Sequence, residues 1–284
     1  MRNRMMIFAA ITGTLLLACE NPFKNEISGN QRTLKGTVTI DGQEQPSGIF
    51  VYLEGLEIGV STDDHGAFSL TMPKDISSSS GGMEGSYTLH FYLANYRVQT
   101  VPVIIRNDAF VLGEGRWNKD GSMRDRPYLV KKLDIHTELI AGYRGIPTTI
   151  VAKTILSAIS DQVPVTLPNA SQQFLGGIFF QNLQTGSIQK LLLPGGGTGQ
   201  LYHTTIGAAG RTFVAIFDIK GLNLVPGQYR VIPHVLPNYD DLALRIAAVL
   251  GIQPAELKED FFKFPIKFSG GMLQIKDENT VLPD

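Results

Sequence analysis

Residues 36–70 read GTVTIDGQEQPSGIFVYLEGLEIGVSTDDHGAFSL, and this stretch decides the fold. With Leu34 just before it, Gly36, Val38 and Ile40 fall on one face and Lys35, Thr37 and Thr39 on the other, the period-two pattern of a half-buried strand. GIFVYLEG and IGVSTDDHGAFSLTMP continue in the same style, rich in β-branched and aromatic residues and punctuated by turn residues. The STDDHGAF segment has the composition of a hairpin turn. Asp63 and Asp64 can accept local backbone hydrogen bonds, Gly66 can take positive φ, and Phe68 returns the chain to the core. A metal site from Asp63, Asp64 and His65 is the competing reading. A calcium loop needs further oxygens at regular spacing, and nothing acidic follows before Asp75.

GSYTLHFYLANYRVQTVPVIIR extends the series, so residues 34–112 are predicted to form one β-sandwich. LGEGRWNKDGSMRDRP then turns polar and glycine-rich, and 113–126 is read as a linker to a second domain at 127–284. That second part again reads as strands: YLVKKLDIHTELI, IPTTIVAKTIL, VPVTLP, GGIFFQNLQTGSIQKLLLPG, QLYHTTI, RTFVAIFDI and GQYRVIPHV. One segment, about 239–262, departs from the pattern. Leu242, Leu244, Ile246, Val249 and Leu250 form a broad apolar helix surface, with Asp240 or Asp241 as cap, Gly251 as stop, and Pro254 opening a second short helix. The expected fold class is mainly β: two β-sandwich domains, the second carrying a short helical pair near its C-terminal end.

Composition agrees with this and removes one class of partner. Gly 30 and Pro 15 suit a chain with many turns, and charged residues make up only 18%, against roughly 25% in ordinary soluble domains. Lys+Arg at 25 against Asp+Glu at 26 leaves a formal charge of −1, so there is no basic field to attract nucleic acid.

The residues ahead of the sandwich carry an address. Arg2 and Arg4 precede an apolar run from Met5 to Leu17, and Ala18 precedes Cys19, the one cysteine in 284 residues. The run is too short to span a bilayer, which takes about 20 apolar residues; residues 1–18 read as a signal peptide. An unpaired cysteine in an exported chain requires an explanation. Leu15 to Cys19, LLLAC, resembles the bacterial lipobox. That resemblance implies a diacylglyceryl thioether on Cys19, cleavage before it, and acylation, for instance with palmitate, of the new amino group. Two or three acyl chains anchor stably where one is marginal, at about 0.8 kcal/mol per buried methylene. Removing 1–18 leaves 23 basic against 26 acidic side chains. Glu20 stands where aspartate would resemble an inner-membrane retention signal, so the outer membrane is favoured, and polar residues 19–33 read as a tether.

A second resemblance lies in the opening stretch. Gly36, Val38, Pro46, Gly48, Thr62, Asp63, Gly66 and Phe68, followed by YTLHFYLANYR, resemble the carboxypeptidase-regulatory-like domain, a transthyretin-like β-sandwich. The family's domain is the non-catalytic companion of a zinc peptidase, so the resemblance implies a structural or binding role.

Candidate sites are few. Trp117 with Arg116, Arg124 and Arg126 could line a sugar site, since aromatic faces stack on sugars, although packing at a domain interface is the preferred reading for this tryptophan. Glycan binding would need Trp117, Tyr128 and Tyr143 to share a surface. His65, His90, His136, His203 and His234 are scattered without H-x-x-x-H or H-E-x-x-H spacing, and no G-x-S-x-G elbow occurs. His136, Glu138 and His203 are the remaining combination that folding could assemble. The low-complexity DISSSSGGMEGS, residues 75–86, reads as a surface spacer loop. LLLPGGGTGQ, residues 191–200, lacks the Lys-Ser/Thr of a phosphate loop and reads as a glycine turn. The expectation is therefore a non-enzymatic lipoprotein, with no cofactor, metal or catalytic residue assigned, whose partners are the membrane and an envelope protein complex or a glycan. A carbohydrate-binding surface module is the alternative, and an enzyme with an unfamiliar C-terminal site a third.

Overall fold

A computed structural model describes residues 32–42, 45–74, 83–193, 199–277 and 280–283. Cys19 and most of the serine-rich and glycine loops, 75–82 and 194–198, lie outside the described residues.

The first unit contains β1 (Thr33–Thr37), β2 (Thr39–Ile40), β3 (Phe50–Glu54), β4 (Ile58–Ser61), β5 (Ala67–Thr71), β6 (Gly85–Tyr92), β7 (Gln99–Arg106), β8 (Ala109–Phe110) and β9 (Tyr128–Leu129). One layer pairs β1 with β5; the other runs β4-β3-β6-β7-β8, all antiparallel. The alternation read from the sequence holds: Leu34, Val38 and Ile40 are buried, as are Val101, Val103 and Ile105 of β7. These side chains, with Val51, Leu53, Phe68 and Phe91, fill the space between the layers. The hairpin turn forms as its composition demands. Asp63 Oδ1 accepts the backbone N–H groups of His65 at 2.9 Å and Ala67 at 2.8 Å. Gly66 has φ 77°, and a Cβ there would lie 2.2 Å from the Val38 carbonyl oxygen, so both conformation and space demand glycine.

The polar stretch 113–126 lies along the edge of this sandwich. Lys35 N–H donates to Gly121 O and Met123 N–H to Lys35 O, both at 2.9 Å, and β2 then pairs with β9 in parallel. Trp117 packs into the first core, 4% exposed.

The second unit contains β10 (Leu133–Ala141), β11 (Thr149–Ala158), β12 (Val163–Pro168), β13 (Gly177–Asn182), β14 (Ile188–Leu192), β15 (Leu201–Ile206), β16 (Arg211–Asp218), β17 (Gly227–Pro233), β18 (Leu236–Pro237), α1 (Asp241–Val249), β19 (Ser269–Gly270), β20 (Met272–Asp277) and β21 (Thr280–Pro283). Three sheets, β16-β11-β10-β19, β14-β13-β17-β20-β21 and β15-β12-β18, close on a core that includes Ile135, Leu156, Val165, Phe180, Phe213 and Val231. The helical segment is one α-helix followed by a 3₁₀ turn at Glu259–Lys263. Asp240 caps α1 by accepting from Ala243 N–H. Gly251, at φ 66°, ends it in a Schellman arrangement, with Gly251 N–H donating to Ala248 O and Ile252 N–H to Ala247 O. Pro254 stands ahead of the 3₁₀ turn rather than within a helix, because the chain first makes a run of turns and bends over 254–258.

Four consecutive residues of β3, Phe50 to Leu53, are buried. Val51 and Leu53 face the first core, while Phe50 and Tyr52 face outward into a third apolar cluster. That cluster adds Tyr92 and Ala94 from the first unit, and Phe179, Ile232, Leu236, Ile246, Phe261 and Phe264 from the second. Each large side chain enclosed this way contributes about 1.5–3 kcal/mol, so the seam between the sandwiches is a core in its own right. Asn95, 1% exposed, stitches it. Its Nδ2 donates to Leu133 O and Lys267 O, both at 3.2 Å, and its Oδ1 accepts Lys267 N–H at 3.1 Å. Its backbone carbonyl accepts Lys132 N–H and Leu133 N–H at 3.0 and 3.1 Å.

Two substitutions probe this framework by urea denaturation. Gly66→Ala is expected to cost about 2 kcal/mol or more, since it adds left-handed strain to a clash with backbone. Asn95→Asp places a carboxylate against two carbonyl oxygens and is expected to cost about 3 kcal/mol or more at neutral pH; a midpoint unchanged from wild type would refute the stitching role.

Candidate functional site

Two cavities open at the seam, and a third, about 310 Å³, lies against β10 with His136 and Glu138 in its lining. After the 3₁₀ turn the chain runs extended through FPIKF, residues 264–268, and a cavity opens on either side of it. The larger, about 390 Å³, is lined by Ser47 and Ser61 of the first sandwich and by Leu250, Phe262, Lys263 and Lys267 of the second. Lys267 Nζ reaches across it to Ser47 Oγ at 3.2 Å. The smaller, about 200 Å³, has Gln181 and Arg230 on its floor and phenylalanines on its walls.

Aromatic packing holds the segment in place. Phe261 stacks on Phe179 with ring centroids 5.1 Å apart and planes within 7°, and Phe262 meets the same ring edge-on at 5.2 Å. His234, 1% exposed, packs edge-on against Phe261 at 4.9 Å and Phe179 at 5.5 Å. Its Nε2–H donates to Pro254 O at 2.7 Å, which fixes the neutral tautomer. Nδ1 has no partner among the described residues. Burial pushes this imidazole down to about 4, only partly offset by the hydrogen bond to Pro254.

A polar cluster closes the other end of the seam. Glu54, at the end of β3, contacts His90 Nε2 through Oε2 at 2.8 Å and accepts Arg245 of α1 through Oε1. The hydrogen bond from His90, with help from Arg245, holds the Glu54 carboxyl below the usual carboxylate range. Tyr52 donates its hydroxyl to Glu57, and burial foremost raises the phenol. Through Arg245 the Glu54 carboxylate ties β3 to α1, and through His90 it contacts β6.

The residues singled out from the sequence are placed elsewhere. Trp117 is enclosed, so its ring offers no face for a sugar, and Arg124 binds Asn118 Oδ1 and Gly113 O instead. Arg116 and Arg126 are exposed. Tyr128 is half exposed and donates to Asp41, while Tyr143 lies under the Arg144 guanidinium at 5.3 Å. His136 and Glu138 share the outer face of β10, with His136 Nδ1 3.0 Å from Ser269 Oγ. His203 stands on β15 in another sheet, 3.0 Å from Thr166. Among the described residues no group of three or more His, Cys, Asp or Glu side chains is placed to hold a metal. Asn95 and Arg230 were not singled out. The signal for Asn95 was an amide inside the apolar run LHFYLANY, and for Arg230 a cation inside the strand GQYRVIP.

No protein-family profile, curated protein or solved structure matches this chain.

The depressed His234 pKa has a readable consequence. Between pH 6.5 and about 4 the unfolded chain takes up a proton that the folded chain refuses. This contribution therefore destabilises progressively as pH falls through that window and is constant below it. The loss is expected to reach about 3 kcal/mol, read as the difference between the pH–stability curves of wild type and His234→Gln; parallel curves would disprove it.

Proposed function

We propose that this chain is a non-enzymatic lipoprotein of the bacterial cell envelope, held at the outer membrane through lipid on Cys19, whose two sandwiches act in binding or scaffolding. The Leu15–Cys19 motif supports the anchor, and the Gly36–Phe68 pattern supports the reading of the first sandwich as carboxypeptidase-regulatory-like. The observation that carries the binding role is the seam. Two cavities flank one aromatic segment, on a body whose halves are joined by a shared core and a buried amide with three hydrogen bonds. Among the described residues no helix is long and apolar enough to cross a membrane, and acyl chains on Cys19 would attach the body without one.

Detergent-phase partitioning and the mass of the N-terminal peptide test the anchor. Wild type is expected in the detergent phase with Cys19 lipidated, and Cys19→Ala in the aqueous phase with the signal retained. Equal partitioning with equal mass would sink the assignment. Affinity purification from detergent-solubilised envelope tests scaffolding: an envelope protein or glycan held by wild type and lost with Cys19→Ala is expected, and wild type recovered alone counts against it.

A further inference from the structure

The smaller seam cavity is lined by two cations, Arg230 and Lys267, of which Lys267 sends its Nζ to Ser47 in the other cavity. On β13, Phe180 points into the core of the second sandwich, as do Tyr229 and Val231 on β17; by strand alternation Gln181 and Arg230 point the other way. They are direct cross-strand partners, and together they floor the cavity. The remaining partners in this row are Ile188 on β14 and Met272 on β20, both uncharged. Among the described residues no carboxylate lines the cavity. Arg230 Nε is buried and donates to nothing among the described residues.

A guanidinium drawn partly out of water without a counter-charge is unfavourable. The contrast with Arg245, matched to Glu54 in the same seam, shows that the fold supplies a carboxylate where the arginine serves structure. The unmatched fork of Arg230 suits a planar, bidentate anion. Phe262, Phe264 and Phe268 form apolar walls around it, and about 200 Å³ accommodates one aromatic or branched group.

We propose that the Arg230 cavity is a binding site for a small carboxylate with an apolar or aromatic body, the carboxylate meeting the Arg230 guanidinium and the Gln181 amide while the body lies between the phenylalanines. Both a free organic acid and the C-terminus of a peptide ending in an apolar residue carry this chemistry. The site deepens the binding role proposed above but does not depend on the membrane anchor, which the Cys19 experiment judges separately.

Isothermal titration of the full chain in detergent, with 3-phenylpropionate, 3-phenylpropionamide, a tripeptide ending in phenylalanine and inorganic phosphate, tests it. The acid is expected to bind at least about 10-fold more tightly than its neutral amide, since charge-assisted hydrogen bonds distinguish the two. Arg230→Gln is expected to erase that preference without lowering the urea midpoint, because it removes an unmatched charge. Phe268→Ala should weaken acid and amide alike. Stronger binding of the tripeptide than of the free acid would assign the site to peptide termini, and the reverse to free acids, either outcome supporting the carboxylate site. Equal binding of acid and amide to wild type, no binding of either acid or tripeptide, or equally tight binding of phosphate would overturn it.

Discussion

Asn95 is the constraint on which the arrangement of the two sandwiches depends. A buried primary amide offers two donors and two acceptor sites, and leaving them empty is costly. Here both donors are used on Leu133 O and Lys267 O, and the amide oxygen takes Lys267 N–H. These partners come from the strand entering the second sandwich and from the segment leaving its 3₁₀ turn, 172 residues away in the chain. Because all three are backbone groups, they fix which end of the amide is nitrogen and admit one relative placement of the two units. Asn238 repeats the device, its Nδ2 donating to Ala94 O at 2.8 Å.

Apolar packing supplies the bulk of the seam's attraction, and the amides supply its register. Phe50 and Tyr52 lie on the back of a strand whose front already belongs to the first core. Water is excluded from both faces of β3, which explains the unbroken FVYL run. On the opposite side, α1 and the 3₁₀ turn present Ile246, Phe261 and Phe264. The helical segment is thus a wedge between sandwiches, and its ends are held by the Asp240 cap, the Gly251 stop and the Glu54–Arg245 pair.

The same seam treats polar groups in two ways. Glu54 is met by His90 and Arg245, and His234 is kept neutral with its one donor satisfied. At Arg230 the Nε–H meets no acceptor among the described residues. Of the buried side-chain atoms without a partner among the described residues, Arg230 Nε belongs to a cation on the floor of an aromatic cavity, and it marks a place where the described side chains do not complete the interaction.

Strand periodicity, turn chemistry and helix caps are properties of a few neighbouring residues, and they were legible. The alternation around Val38, the Asp63–Gly66 turn, the strands from VPVTLP to GQYRVIP, and the Asp240 and Gly251 boundaries of α1 all follow from local rules. The seam is not local. Nothing near Asn95 reveals that its amide meets residues 133 and 267, and nothing near Trp117 shows that a polar stretch folds back over the first core. Whether an arginine in GQYRVIP is paired depends on what stands at positions 181, 188 and 272, brought beside it only by sheet topology. The sequence by itself determined the elements and their faces, because those arise from contacts between near neighbours; the tertiary structure alone decided the junction and its cavity, because burial and charge balance are sums over residues far apart in the chain.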